Sequence, residues 1–145
     1  MLWGLGDNVE FNLDHRELLN FWSQLNDLIA HVKKMDSYHP VITSISANHI
    51  QYFEDIKQNI TSIDAIGINT FDQERFDAIP ENIEKNQWNK PYIVIEFNFA
   101  TECDIRKAPF EVPYWIEGDK LIAAEKSYQQ VVVRHPQCLG AFMLT

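Results

Sequence analysis

Short apolar runs alternate with longer stretches of helical periodicity along this chain. The runs are Met1–Leu5, Val41–Ile45, Ala65–Ile68, Tyr92–Phe97 and Leu139–Leu144. Most are rich in β-branched or aromatic residues, and they read as strands buried on both faces, as parallel strands are. After the first run, Leu18, Trp22, Leu25, Ile29 and Val32 recur at spacings of three and four, which makes one apolar helical stripe. Asp14 and Glu17 have capping-box spacing at its start. His39-Pro40 stops the chain before the next strand. A second helix is predicted over His49 to Asn59, with Ile50, Phe53 and Ile56 or Ile60 inward. A third falls between Gln73 and Asn86, and a fourth runs from Leu121 to Arg134, closed by Pro136.

Strand-helix alternation of this kind gives an α/β fold with a parallel sheet and helical crossovers. Two architectures fit it. One is an open doubly wound sheet; the other is part of a (β/α)8 TIM barrel, which takes about 250 residues when complete. The 145 residues, read as a single domain over 1–145, begin inside one apolar strand and end inside another. No residues remain to cover two open-sheet edges, which favours the partial barrel. Such a piece leaves strand edges and an apolar interior uncovered. A missing barrel half or self-association is therefore expected to cover them.

Composition narrows the partners. Hydrophobic residues make up 46% and charged residues 23%, an ordinary globular balance. Net charge is −9, with 12 basic against 21 acidic residues. That argues against nucleic acid or an anionic membrane surface, which need clustered Lys and Arg. It leaves neutral ligands such as sugars open. No apolar run approaches the roughly 20 residues of a membrane span, and Met1-Leu2-Trp3-Gly4 lacks the basic start and apolar stretch of a signal peptide. Cys103 and Cys138 show no disulfide framework, which favours free thiols. The five histidines are scattered without metal spacing. No phosphate loop or Ser-His-Asp arrangement can be assembled, so neither metal nor cofactor is expected. Trp3, Trp22 and Trp88 are assigned to the core.

In parallel α/β folds, functional residues gather at the C-terminal ends of strands. Those ends carry Gly6-Asp7-Asn8-Val9-Glu10, then Ser44-Ile45-Ser46 with Asn48-His49, then Asn69-Thr70-Phe71, and Glu96-Phe97-Asn98. Glu96 follows an entirely apolar run. An acid at such a rim more often faces a pocket than bulk water. The stretch from Thr101 to Lys120 is long for a βα loop and holds Trp115, which suits either a sugar-stacking ring or a hydrophobic plug.

Trp3-Gly4-Leu5-Gly6-Asp7-Asn8-Val9-Glu10 resembles the W-G-L-G-N-E-V-E segment of the barrel domain in family 2 glycoside hydrolases. These are the β-galactosidase and β-glucuronidase relatives of the large retaining clan. Asp36-Ser37-Tyr38-His39-Pro40-Val41 resembles their D-P-x-H-P-V entry to strand five. Ile63-Asp64-Ala65-Ile66-Gly67-Ile68-Asn69-Thr70-Phe71 is similar to I-D-x-x-G-I-N-x-Y of strand six. Lys90-Pro91-Tyr92-Ile93-Val94-Ile95-Glu96-Phe97 is similar to K-P-Y-x-x-x-E-F, the strand-seven nucleophile motif. Glu125-Lys126-Ser127-Tyr128 and Cys138-Leu139-Gly140-Ala141-Phe142 resemble the last helix and strand eight. Each motif is short; five in order over nearly the whole chain imply barrel strands four to eight.

The resemblance implies a carbohydrate substrate and two carboxylates flanking the glycosidic bond, roughly 5–5.5 Å apart in retaining enzymes. Glu96 falls on the nucleophile. Asn8 falls on the acid/base glutamate and Asp7 on the asparagine before it. An amide supplies no proton at neutral pH, so the acid/base position is lost unless Asp7 substitutes. A regular strand would point those neighbours to opposite faces. Glu10 is assigned a structural role on the loop. Asn69, Phe71, His49 and Trp115 are the candidate substrate contacts, with Phe71 in place of a tyrosine and Asn98 in place of a glycine. The tryptophan expected after strand eight would lie past Thr145. Two functions are carried forward: a retaining glycoside hydrolase segment, and an impaired carbohydrate-binding or vestigial barrel. A third reading, an unrelated open α/β binding domain, is to be separated by strand order.

Overall fold

The computed structural model of the chain describes residues 1–97 and 117–143. Asn98, Cys103, Trp115 and Thr145, singled out above, lie outside the described residues. Five strands form one sheet: β1 (Trp3–Asp7), β2 (Val41–Ser46), β3 (Ala65–Thr70), β4 (Tyr92–Phe97) and β5 (Cys138–Met143). All neighbouring pairs are parallel and the spatial order is the sequence order, β1-β2-β3-β4-β5. A doubly wound sheet reverses its order at a switch point; this one does not. The architecture is that of a partial TIM barrel.

The helices are α1 (His15–Met35), α2 (Phe53–Asn59), α3 (Gln73–Asp77), α4 (Ile79–Lys85) and α5 (Glu117–Tyr128). They cover one face of the sheet. That face contributes Val41 and Ile45, Ile66 and Ile68, and Tyr92, Val94 and Phe97 to a single core. The helices add Leu18, Trp22, Leu25 and Ile29 from α1, Phe53 and Ile56 from α2, Phe76 from α3, and Ile79 and Ile83 from α4. Each large side chain buried this way contributes about 1.5–3 kcal/mol before conformational entropy is charged against it. The opposite, concave face holds a separate small cluster of Ile42, Ala65 and Ile93 with Ile95 against it.

Helix α1 starts where the capping box places it. Asp14 accepts a hydrogen bond from Glu17 N at 2.8 Å, and Glu17 accepts one from Asp14 N at 2.9 Å. Other elements depart from the sequence reading. The second helix begins as a 3-10 segment, Ala47–Tyr52, before α2. The third divides into α3 and α4 at Ala78, with Pro80 in the first turn of α4, where its missing N–H costs nothing. The fourth begins earlier, at Glu117, and closes with a π turn, Gln129–Val133.

Burial on both faces holds for β2 and β3, whose residues are all buried, and fails for β1 and β5. Those two are the sheet edges, each with one neighbour. Trp3 is correspondingly no core residue: it is 46% exposed and donates its indole N–H to Asp36 Oδ2 at 3.1 Å. Trp22 and Trp88 are buried.

At the N-terminal ends of the strands, two aspartates tie loops to strands. Asp64 accepts from Lys33 Nζ at 2.6 Å and from Val41 N at 2.8 Å. Asp36 meets His39 Nδ1 at 2.9 Å and accepts from the backbone N–H groups of Tyr38 and His39 at 3.1 Å each. The His39 side chain, then the Trp3 indole and the His39 and Tyr38 amides, hold the Asp36 carboxyl well below the usual carboxylate range.

Two outcomes are expected. Asp14→Ala should lower stability by about 1 kcal/mol, read from the denaturant midpoint, because α1 loses the side-chain acceptor for Glu17 N; an unchanged midpoint would mean the cap carries no weight. Because the folded Asp36 carboxyl is depressed below its unfolded value, its contribution is complete above the usual carboxylate range and is lost progressively as pH falls from that range through the lower folded value, while the folded carboxyl itself stays ionised until that lower value. The Trp3 indole N–H resonance should therefore stay in place as pH drops through about 4. Its displacement there would contradict the assignment.

Candidate active site

A pocket of about 280 Å³ opens on the concave face toward the C-terminal ends of the strands, lined by Gly4, Gly6, Asp7, Ile42, Ser44, Ile95 and Glu96. The two carboxylates reach it by the same device. Along β4, Ile68 pairs with Val94 and Asn69 with Glu96, so Ile95 is an extra residue with no partner on β3. Val94 and Phe97 stay in the helix-side core, while Ile95 and Glu96 both line the pocket. Along β1, Gly4 pairs with Ile42 and Asp7 with Ser44, so β1 carries one residue more than β2 over the same span. Gly6 takes a φ of 80° there, a conformation that suits a residue without a side chain.

Asp7 is held from below. Ser44 Oγ donates to Asp7 Oδ1, and Asn69 Nδ2 donates to the same oxygen at 2.9 Å. Among the described residues no hydrogen bond reaches Asp7 Oδ2, and Glu96 has neither a hydrogen bond nor an ion pair. Ser44 and Asn69 are themselves buried. The Oδ1 of Asn69 is buried without a hydrogen-bond partner among the described residues.

Asn8 turns away from this arrangement. It sits at φ 47° and ψ 37° as the residue capping a 3-10 turn, Val9–Phe11. Its backbone N–H donates to Ser44 O at 3.2 Å, its side-chain Oδ1 is buried without a partner, and it does not line the pocket. Asparagine is among the few residues that adopt this left-handed conformation readily. Glu10 lies in the same turn and is 5% exposed. Its Oε1 accepts from Ser46 N at 2.6 Å, which fastens the β1 turn to the tip of β2.

The remaining candidates are dispersed. His49 belongs to the 3-10 segment after β2. Its ring packs on Phe11 at 4.7 Å and Tyr52 at 5.8 Å, and its Nδ1 lies 3.5 Å from Glu10 Oε1. Phe71 is exposed just past β3. Neither lines the pocket, and Asn69 joins it only through Asp7. Gly4, Ile42 and Ile95 also line it, although none stands among the strand-end residues read from the sequence. The parity of β2 could have found Ile42, since it shares a face with Ser44. Among the described residues no group of three His, Cys, Asp or Glu side chains gathers to hold a metal ion. Two carboxylates on one pocket, each with an unengaged oxygen, are equipped for nucleophilic and proton-transfer chemistry.

The whole chain superimposes on part of the crystal structure of Bacteroides uniformis β-glucuronidase, with a TM-score of 0.68 and 20% sequence identity. It spans 19% of that protein's length. Neither a protein-family model nor a curated protein matches the sequence. The likeness is one of fold: the chain has a glycoside-hydrolase-like fold, in the form of five consecutive barrel-type strands.

The pocket floor depends on Gly67. A methyl group there would overlap Ile95 Cδ1 and lie 2.9 Å from Ser44 Cβ. The tip of Ile95 can swing aside, but Ser44 Cβ is fixed by its strand. Gly67→Ala is expected to destabilise by about 1–3 kcal/mol and to move the Ile95 methyl resonances. A variant with unaltered melting and spectra would show slack in the floor.

Proposed function

We propose that this chain forms part of a glycoside-hydrolase-type barrel acting on β-linked sugars by the retaining route, with Glu96 as nucleophile and the family's acid/base glutamate lost, its place taken by Asn8. The observation that carries the reading is Glu96 itself: a carboxylate that no described residue engages, at the C-terminal end of a parallel barrel-type strand, facing a pocket it shares with a second carboxylate. In this chemistry an oxygen of Glu96 attacks the anomeric carbon as the bond to the leaving oxygen breaks. Water then displaces Glu96 from the glycosyl ester. Neither step needs a cofactor. A sugar hydroxyl would be met by Asn69, whose buried Oδ1 has no partner among the described residues, with Phe71, His49 and Trp115 as the further contacts the family resemblance implies. The strands that would complete the barrel come from a longer chain, a partner or a second copy.

A second reading, an impaired carbohydrate-binding or vestigial barrel, is favoured by one residue. The Asn8 amide supplies no proton, and loss of general acid catalysis typically costs about 10²–10⁴ in rate. The two readings part on covalent chemistry, since a good leaving group departs without acid assistance. Incubation with activated fluoro-sugar β-glycosides of galactose, glucose and glucuronic acid is expected to label the peptide that carries Glu96 in intact-mass and peptide mapping. Glu96→Gln should abolish the label. No labelling by any of the three sugars would remove the nucleophile assignment and leave the binding reading.

A further inference from the structure

We infer that Asp7, and not its neighbour Asn8, is the general acid/base of this site, an assignment that rests on Glu96 being the nucleophile. Three observations carry it. First, Asp7 lines the pocket with Glu96, and Asn8 does not. The extra residue in β1 cancels the alternation that would otherwise send Asp7 to the far face. Second, both donors to Asp7, Ser44 Oγ and Asn69 Nδ2, act on Oδ1. An oxygen accepting two hydrogen bonds has no room for a proton of its own, so a proton on Asp7 resides on Oδ2, the oxygen left unengaged by the described residues. The pair fixes the carboxyl plane and leaves one oxygen for transfer. Third, Asn8 is matched to its backbone. At φ 47° a glutamate would carry a left-handed penalty of about 1–2 kcal/mol, which asparagine largely escapes. The amide there serves the turn, and the carboxylate one residue earlier serves the pocket.

The proton balance is complete without another group. In the first step Asp7 Oδ2–H gives its proton to the leaving oxygen as Glu96 bonds to the anomeric carbon. In the second, Asp7 Oδ2 takes a proton from the water that attacks that carbon, and the Glu96 ester bond breaks.

Asp7→Asn is the test, because the amide keeps an oxygen to accept from Ser44 and Asn69 and so preserves the local bonding. With dinitrophenyl β-glycosides of galactose, glucose and glucuronic acid, the variant should still form the Glu96 ester, since that leaving group needs no acid. Its hydrolysis should slow by about 10²–10⁴. Azide, a nucleophile that needs no base, should restore turnover and release the β-glycosyl azide. A merely structural role for Asp7 would not be rescued in this way. Asn8→Glu in the parent chain provides the second measurement and should bring no gain on poor leaving groups. The assignment is overturned if azide leaves a labelled Asp7→Asn variant unrescued, if Asn8→Glu raises turnover a hundredfold, or if the parent chain is labelled at Glu96 without turning over. In those cases the nucleophile reading stands alone. No labelling of the parent chain removes both.

Discussion

A side chain on a regular strand has one face available to it, and both carboxylates of the pocket depend on an interruption of that rule. Were Ile95 paired regularly instead of bulged, strict alternation from Val94 would carry Glu96 into the helix-side core and Phe97 onto the concave face. Burying a carboxylate beside Phe76 and Val94 would cost far more than the bulge does. The extra residue in β1 does the same for Asp7, with Gly6 absorbing the turn at positive φ. The concave site is thus built by two local irregularities laid on an otherwise regular parallel sheet.

The two ends of that sheet are organised differently. At the N-terminal ends, Asp64 and Asp36 are saturated with donors from Lys33, Val41, Trp3, Tyr38 and His39 and act as fasteners. At the C-terminal ends, polar groups are buried yet incompletely partnered: among the described residues, Asn8, Glu10, His49 and Asn69 each hold a buried atom without a hydrogen bond, as does Asp77 at the end of α3. A folded chain normally pairs such atoms. Their concentration on one rim marks the end at which polar chemistry is available, in keeping with the division of labour in barrel folds.

Regular periodicity was legible in the sequence; interruptions of it were less so. The stripe from Leu18 to Ile29, the Asp14–Glu17 cap and the saturated burial of β2 and β3 follow directly from spacing and residue type. Trp3 was assigned to the core because its run is apolar, but an edge strand has no second neighbour to bury it. The α3–α4 break has a sequence signal in Pro80, which suits the first turn of a helix and not its interior. The bulge at Ile95 has no signature at all, since Tyr92–Phe97 reads as an unbroken apolar strand. The rim position of Glu96 could be argued from the sequence. The relative placement of Asp7 and Asn8 could not, because it turns on a backbone conformation at Gly6 and Asn8 that pattern alone does not encode.

Insertions and deletions are ordinarily absorbed by loops and rejected by strands for reasons of stability. The tip of β4 is an exception. Removing Ile95 would leave a strand of sound length and hydropathy that pairs with β3 in unbroken register. Glu96 would still stand beside Asn69 and Phe97 beside Thr70, so the acid and the aromatic ring would keep their faces. A residue without a partner can leave such a strand while the direction of its chemistry stays the same.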